Sequence, residues 1–316
     1  MVKKVFFLVL FPSMILFSIN KVFACESCMI SRIGKDSGMR RESADKRWSF
    51  EYLFEQKNYD RMDASDAHTL HHQGHEVHDK TTEDFHHLIF GANLNDQLSL
   101  SLEVPYVIRR SLEVDNHDTL GDKRRCEGLG DTTLLSEYSF WKSNQQSVGV
   151  VGGVKFPTGY TGEKNTVGDK FEPELQPGSG SFDYIFGGVY KRQGERMNIA
   201  GNVSCVFNTE GVYDFEFGDM FTVSTSIDYL LNPQVSKFQA RIGMDVIYDN
   251  EWKEKQNGLK NPDSAATKIL TGPVFNVTTF SQNSILGSVL FPAYQDVGGV
   301  HQELDYVWTL GTKIRW

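Results

Sequence analysis

From residue 47 to the last residue the chain alternates, with apolar and polar side chains exchanging places at every second position. No sustained helical periodicity competes with that pattern. In "DQLSLSLEVPYVIRR" one face carries Leu98, Leu100, Leu102, Val104, Tyr106 and Ile108, and the other Gln97, Ser99, Ser101, Glu103 and Arg109. In "QELDYVWTLGTKIRW" the apolar face is Leu304, Tyr306, Trp308, Leu310, Ile314 and Trp316, opposite Glu303, Asp305, Thr309, Lys313 and Arg315. Strands of soluble proteins usually run about 5 or 6 residues, whereas a tilted strand crossing a bilayer needs about 9 to 11. Most segments here reach the longer figure, so length selects the membrane reading.

The breaks between segments also alternate. Short turns fall near Asn95, at Lys142 to Gln146, Gln193 to Arg196, Leu231 to Val235 and Ser281 to Ser284. Longer polar links fall at 60–82, 111–127, 159–178, 209–214, 250–266 and 293–301. Twelve segments result, beginning near Arg47, Glu83, Asp96, Gly128, Ser147, Ser179, Arg196, Phe215, Ser236, Thr267, Ser284 and Gln302. An even number of strands, with short turns at one end and long loops at the other, predicts an all-β fold: a transmembrane antiparallel β-barrel of about twelve strands. Closure is required because lipid cannot satisfy the hydrogen bonds of an open sheet edge. The short turns and both termini are expected in the periplasm. Trp48, Phe140, Trp141, Tyr229 and Trp316 fall near that end, and Tyr59, Tyr106, Tyr160 and Tyr248 near the other, as two aromatic girdles would.

The amino end adds a compartment. "MVKKVFFLVLFPSMILFSINKVFAC" sets Lys3 and Lys4 before an apolar run from Val5 to Ile19, with Val22 and Ala24 ahead of a cleavage point. That is the layout of a secretory signal peptide over 1–24, and the run is shorter than the ~20 residues of a spanning helix. The expected organisation is signal peptide 1–24, a periplasmic segment 25–46 and an outer-membrane barrel 47–316. Loss of the three leader lysines takes the formal charge from −9 to −12, and an acidic chain without a basic stripe argues against a nucleic-acid partner. Cys25 and Cys28 form C-x-x-C, for which a disulfide, a thiolate pair on a metal and lipidation of Cys25 all stay open. Cys126 is placed in an outer loop and Cys205 on the apolar side of a strand.

Three segments carry a resemblance: "GLGDTTLLSEYSFW" at 128–141, "VGVVGGVKFPTGY" at 148–160 and "LQPGSGSFDYIFGGVYKR" at 175–192. Together they resemble the repeated hairpins of the outer-membrane family named for the MetA pathway of phenol degradation, over roughly residues 47–316. The resemblance implies a membrane barrel labelled as a transporter. The closing strand, ending in Trp316, is similar to the signal read by barrel assembly machinery, which with outer-membrane lipid is an expected partner. The extended first loop and the C-x-x-C depart from the family pattern.

If the apolar faces meet lipid, the opposite faces project Glu51, Glu55, Glu103, Glu137, Lys155, Asp183, Lys191, Arg241, Asp245, Glu303, Asp305, Lys313 and Arg315 toward the lumen. Charges of both signs suit passage of a small solute, with selectivity set by the lumen and inward-folding loops. With no G-x-x-x-x-G-K-[ST] motif to supply energy, passive transport without a cofactor is the leading expectation, and the chain is read as a non-enzyme. Two alternatives stand beside it. In "AHTLHHQGHEVHDK", His68, His71, His72, His75 and His78 form a candidate surface site for zinc, copper or nickel, the first four at i, i+3, i+4 and i+7. Against it stands a solvated loop whose imidazoles gain charge as pH falls. A lipid hydrolase would need a serine beside a base such as His301, and no G-x-S-x-G elbow is present.

Overall fold

The computed structural model describes residues 46–59, 78–114, 120–164, 168, 170–234, 237–261, 264–298 and 303–316. The expected signal peptide, the Cys25/Cys28 pair and His301 lie outside the described residues. Twelve antiparallel strands make the fold: β1 Trp48–Tyr59, β2 His78–Asn93, β3 Leu98–Val114, β4 in two pieces, Leu120–Leu129 and Thr132–Lys142, β5 Gln146–Phe156 and β6 Asp183–Gln193. The remainder are β7 Met197–Phe207, β8 Met220–Leu230, β9 Phe238–Glu251, β10 Ala266–Thr279, β11 Ser284–Val297 and β12 Leu304–Arg315. Each strand pairs with the next in the chain, and β12 pairs with β1, so the sheet is a closed barrel. The seam runs to the last residue: Trp48 N–H donates to Trp316 C=O at 3.0 Å and Trp316 N–H returns a bond to Trp48 C=O at 3.1 Å.

The two faces are inverted relative to a soluble protein. Phe90, Val150, Phe186, Ile242, Met244 and Leu310 point outward and are exposed, while Glu55, Glu103, Asp183 and Arg241 point inward and are buried. A strand's period of two then sends apolar groups to lipid and polar groups to the lumen without further instruction. Local chemistry fixes the short turns. Asn95 Oδ1 accepts from the N–H groups of Gln97 and Leu98 at 2.9 and 2.8 Å, and Asn232 Oδ1 accepts from Ala240 N–H at 2.7 Å. Such side-chain bonds stand in for missing ladder bonds where the chain reverses.

Several expectations change. The link placed at 111–127 is mostly strand, because β3 runs to Val114 and β4 starts at Leu120. Cys126 therefore sits on the inner wall at 2% exposure rather than in an outer loop. Tyr59 turns inward and is buried, so it belongs to no aromatic girdle. A bulge explains Leu304 and Asp305: Asn58 pairs with Tyr306 but Tyr59 with Leu304, which makes Asp305 the extra residue and puts Leu304 inside. Strict alternation had assigned those two positions to the opposite faces. The eighth strand begins at Met220, because Phe215–Glu216 instead pairs with Lys255–Gln256 in a small loop sheet.

Candidate functional site

A cavity of about 380 Å³ occupies the barrel from its short-turn end, where Lys46, Asn95, Asp96, Asn144 and Gln145 rim it. Of the thirteen charges expected to face the lumen, Glu51, Glu55, Glu137, Lys191, Arg241, Asp245, Lys313 and Arg315 line this cavity. Near the mouth the signs pair: Lys191 Nζ lies 2.7 Å from Glu137, Arg241 donates to Asp228 at 2.7 Å, and Lys313 stands 3.5 Å from Glu51. Arg315 donates to the Gln282 carbonyl at 3.2 Å. The other five lie elsewhere. Glu103 is buried against His87, Lys155 pairs with Asp183 at 2.6 Å, Glu303 accepts from Gln295 ahead of β12, and Asp305 occupies the bulge.

Beyond the cavity, toward the long loops, the barrel is filled. Lys57, Tyr59, Glu83, Phe85, Arg109, Glu251 and Lys268 project inward and are all buried. Lys57 Nζ sits 5.0 Å from the Phe85 ring centre, and Arg109 donates to Glu83 Oε1 at 2.9 Å. The same Arg109 guanidinium also donates to the main-chain carbonyl of Gln176, a residue of the loop that joins β5 to β6. Gln176, 2% exposed, closes that loop on itself: its amide donates to the carbonyls of Phe171 and Glu163 at 2.9 and 3.1 Å and accepts from Glu163 N–H at 3.0 Å.

What holds the loop is the meeting of the three glycine-bearing motifs. Asp131 interrupts β4 and accepts from Ser179 N–H at 2.7 Å, Ser179 O–H at 2.6 Å and Gly159 N–H at 2.8 Å. Thr158 Oγ1 accepts from Thr132 N–H at 2.8 Å, and Gly178 N–H donates to Tyr160 C=O at 3.0 Å. Only glycine fits the crossing, since a Cβ on Gly178 would stand 2.6 Å from the Gly159 backbone. Ser179 continues through Ser181 to Asp183, which pairs with Lys155. A fully satisfied polar chain of this kind is rigid, because every buried donor and acceptor in it has an answer. Alternation missed Asp131 and Gln176 because both lie where the strand pattern stops; their signal was the turn chemistry of "GLGDTT" and "LQPGSG".

A second loop, joining β9 to β10, reaches the same region. Burial raises the Glu254 carboxyl well above the usual carboxylate range, and the nearby charge of Glu174 on the β5–β6 loop raises it further.

The histidines divide. His68, His71, His72 and His75 lie outside the described residues, and His78 opens β2. Among the described residues no group of three or more His, Cys, Asp or Glu side chains is placed to hold a metal ion. His86 Nδ1 faces Tyr52 O–H at 2.9 Å on the outer face, and His87 Nδ1 faces Glu103; neither ring bonds a serine.

A closed barrel with an apolar outer face and a charged interior defines an outer-membrane β-barrel. The chain belongs to the family described as MetA-pathway of phenol degradation, whose model matches residues 76–283. Among solved structures, the COG4313 outer membrane channel from Pseudomonas putida F1 is similar at 15% identity and TM-score 0.59, over 88% of this chain and 100% of that one. The beta domain of the Bordetella autotransporter BrkA is similar at 6% identity and TM-score 0.50, over 86% and 100%. At these identities the likeness is one of fold. A comparison with curated protein sequences found no match.

Proposed function

We propose that the protein is a passive outer-membrane channel for small solutes, closed at its outer end by the β5–β6 loop. The observation that carries this reading is the cavity of about 380 Å³ lined by charges of both signs, open at the short-turn end and ending below the layer that Arg109 ties to Gln176. Short turns face the periplasm in barrels of this kind, so the wide vestibule is periplasmic and the knotted loop lies toward the outside. The signal-peptide layout of residues 1–24 agrees with export. Water-filled walls of mixed sign pass polar solutes without committing to one ion. Near the short-turn end each of Glu137, Asp228 and Glu51 has a basic partner. Transport then depends on how often the β5–β6 loop leaves the outer end of the lumen, which makes gating a local rather than a global event.

Planar-bilayer recording tests this. The folded wild-type barrel gives discrete current steps of low open fraction, and Asp131→Ala, which removes the acceptor shared by Ser179 and Gly159, raises the open fraction. A folded barrel that stays silent in both forms sinks the channel reading.

A further inference from the structure

On the lipid side of the barrel a polar chain crosses four strands. Trp308 Nε1 of β12 donates to Gln56 Oε1 of β1 at 3.0 Å, Gln56 Nε2 donates to Asp84 Oδ1 of β2 at 2.7 Å, and Arg110 Nη1 of β3 donates to Asp84 Oδ2 at 2.6 Å. The Asp84 side chain is 9% exposed and that of Arg110 44%, so the chain fixes a guanidinium without hiding it. Directly opposite Arg110 in the ladder stands Arg125 of β4, also on the outward face and 56% exposed in its side chain. Like charges facing each other across two strands destabilise the ladder.

The carboxylates approach from other sides. Asp84 reaches Arg110 from β2, away from β4, and Glu127 meets Arg125 Nε and Nη2 at 3.0 and 2.5 Å from two residues nearer the membrane midplane. Among the described residues no carboxylate bonds both guanidiniums, and Nε and Nη2 of Arg110 and Nη1 of Arg125 donate to no protein group. Height places the pair in the bilayer. Arg110 stands twelve residues beyond Leu98, where β3 leaves its short turn. At about 3.4 Å per residue and a tilt of about 45° that is roughly 29 Å, just past an apolar band about 25 Å tall. Within that band Leu102 and Tyr106 of β3 and Leu129 and Leu134 of β4 are exposed on the same face.

Two exposed arginines above an apolar strip match an anion with a hydrocarbon body, and the guanidinium fork suits phosphate oxygens in particular. With the long loops outside, this level is the outer leaflet. We infer that Arg110 and Arg125 form a binding site for a phosphorylated glycolipid of the outer leaflet, its phosphate bridging the two guanidiniums and its acyl chains lying along Leu102, Tyr106, Leu129 and Leu134. The site faces away from the lumen, so it stands whether or not the barrel conducts.

Native mass spectrometry of the purified full-length barrel, titrated with diphosphoryl lipid A and with the same lipid stripped of its phosphates, tests the site. The phosphorylated lipid is expected to bind at least about tenfold more tightly, and Arg110→Gln with Arg125→Gln to remove that advantage. Arg192→Gln, at an exposed position near the short-turn end of β6, is expected to leave it intact. Heat-modifiable gel mobility reports folding; if the double variant does not fold, Arg125→Gln alone, which leaves the Asp84 chain in place, is expected to weaken binding at least about threefold. Equal affinity for the two lipids in the wild type overturns the inference, as does a folded arginine variant that binds like wild type or an equal loss in Arg192→Gln. Inorganic phosphate at the same concentration is expected to leave the lipid bound; displacement by it would make a free anion the ligand and overturn the lipid site.

Discussion

At the scale of single residues, Arg109 joins wall to loop. It is 5% exposed, neutralises Glu83 on β2 and holds a main-chain oxygen of the β5–β6 loop. Removing one partner of a buried ion pair leaves the other charge stranded, which costs about 3–5 kcal/mol. Arg109→Ala is therefore expected to lower the barrel's unfolding midpoint in denaturant, and Arg109→Ala with Glu83→Gln to recover much of the loss. A single variant as stable as wild type would show that the pair carries no such weight. Arg109 was legible as an inward residue from alternation in "EVPYVIRR", but its partners were not. Register across strands decides partners, and no local pattern encodes a residue 67 positions away.

At the scale of elements, strands were legible and loops were not, for a physical reason. Alternation is enforced along a strand because each residue has one lipid face and one lumen face, so β5, β7 and β9 show their boundaries in the sequence. The upper parts of β3 and β4 rise with charges on both sides, Arg109 inward and Arg110 outward, and read as a polar link. Loops obey turn chemistry and long-range bonds instead. The β9–β10 loop illustrates how such an element responds to pH. Glu254 is 3% exposed and its carboxyl is raised by burial and by Glu174. A carboxyl whose folded value exceeds its unfolded value adds stability below the unfolded value, and that stability is lost as pH rises through the folded value. Amide exchange in residues 252–261 should thus speed up, beyond its intrinsic pH dependence, as pH climbs from about 4.3 upward. Glu254→Gln should abolish that extra acceleration; an identical profile in the variant would assign the effect elsewhere.

At the scale of the whole molecule, the barrel has one wide end and one filled end. Twelve strands close on themselves through β1 and β12 around the cavity. The wall is generic to outer-membrane barrels, whereas the obstruction belongs to the three motifs that marked the family. Those glycines, the Asp131 acceptor and Gln176 tie the β5–β6 loop at the long-loop end, and on the channel reading proposed above this loop is the closure. The histidine-rich stretch, prominent in the sequence, lies outside the described residues as far as position 77.

The central claim is that this loop controls passage, and a reversible lock tests it most directly. An ideal Cβ at Gly128 lies 3.6 Å from Pro177 Cβ, within the range a disulfide spans. With Cys25, Cys28, Cys126 and Cys205 changed to serine, Gly128→Cys and Pro177→Cys would fasten the loop to β4. Recorded in one bilayer, the oxidised protein is expected to carry no current and to conduct after reduction; equal current in both states, with the disulfide confirmed by mass, would contradict the account.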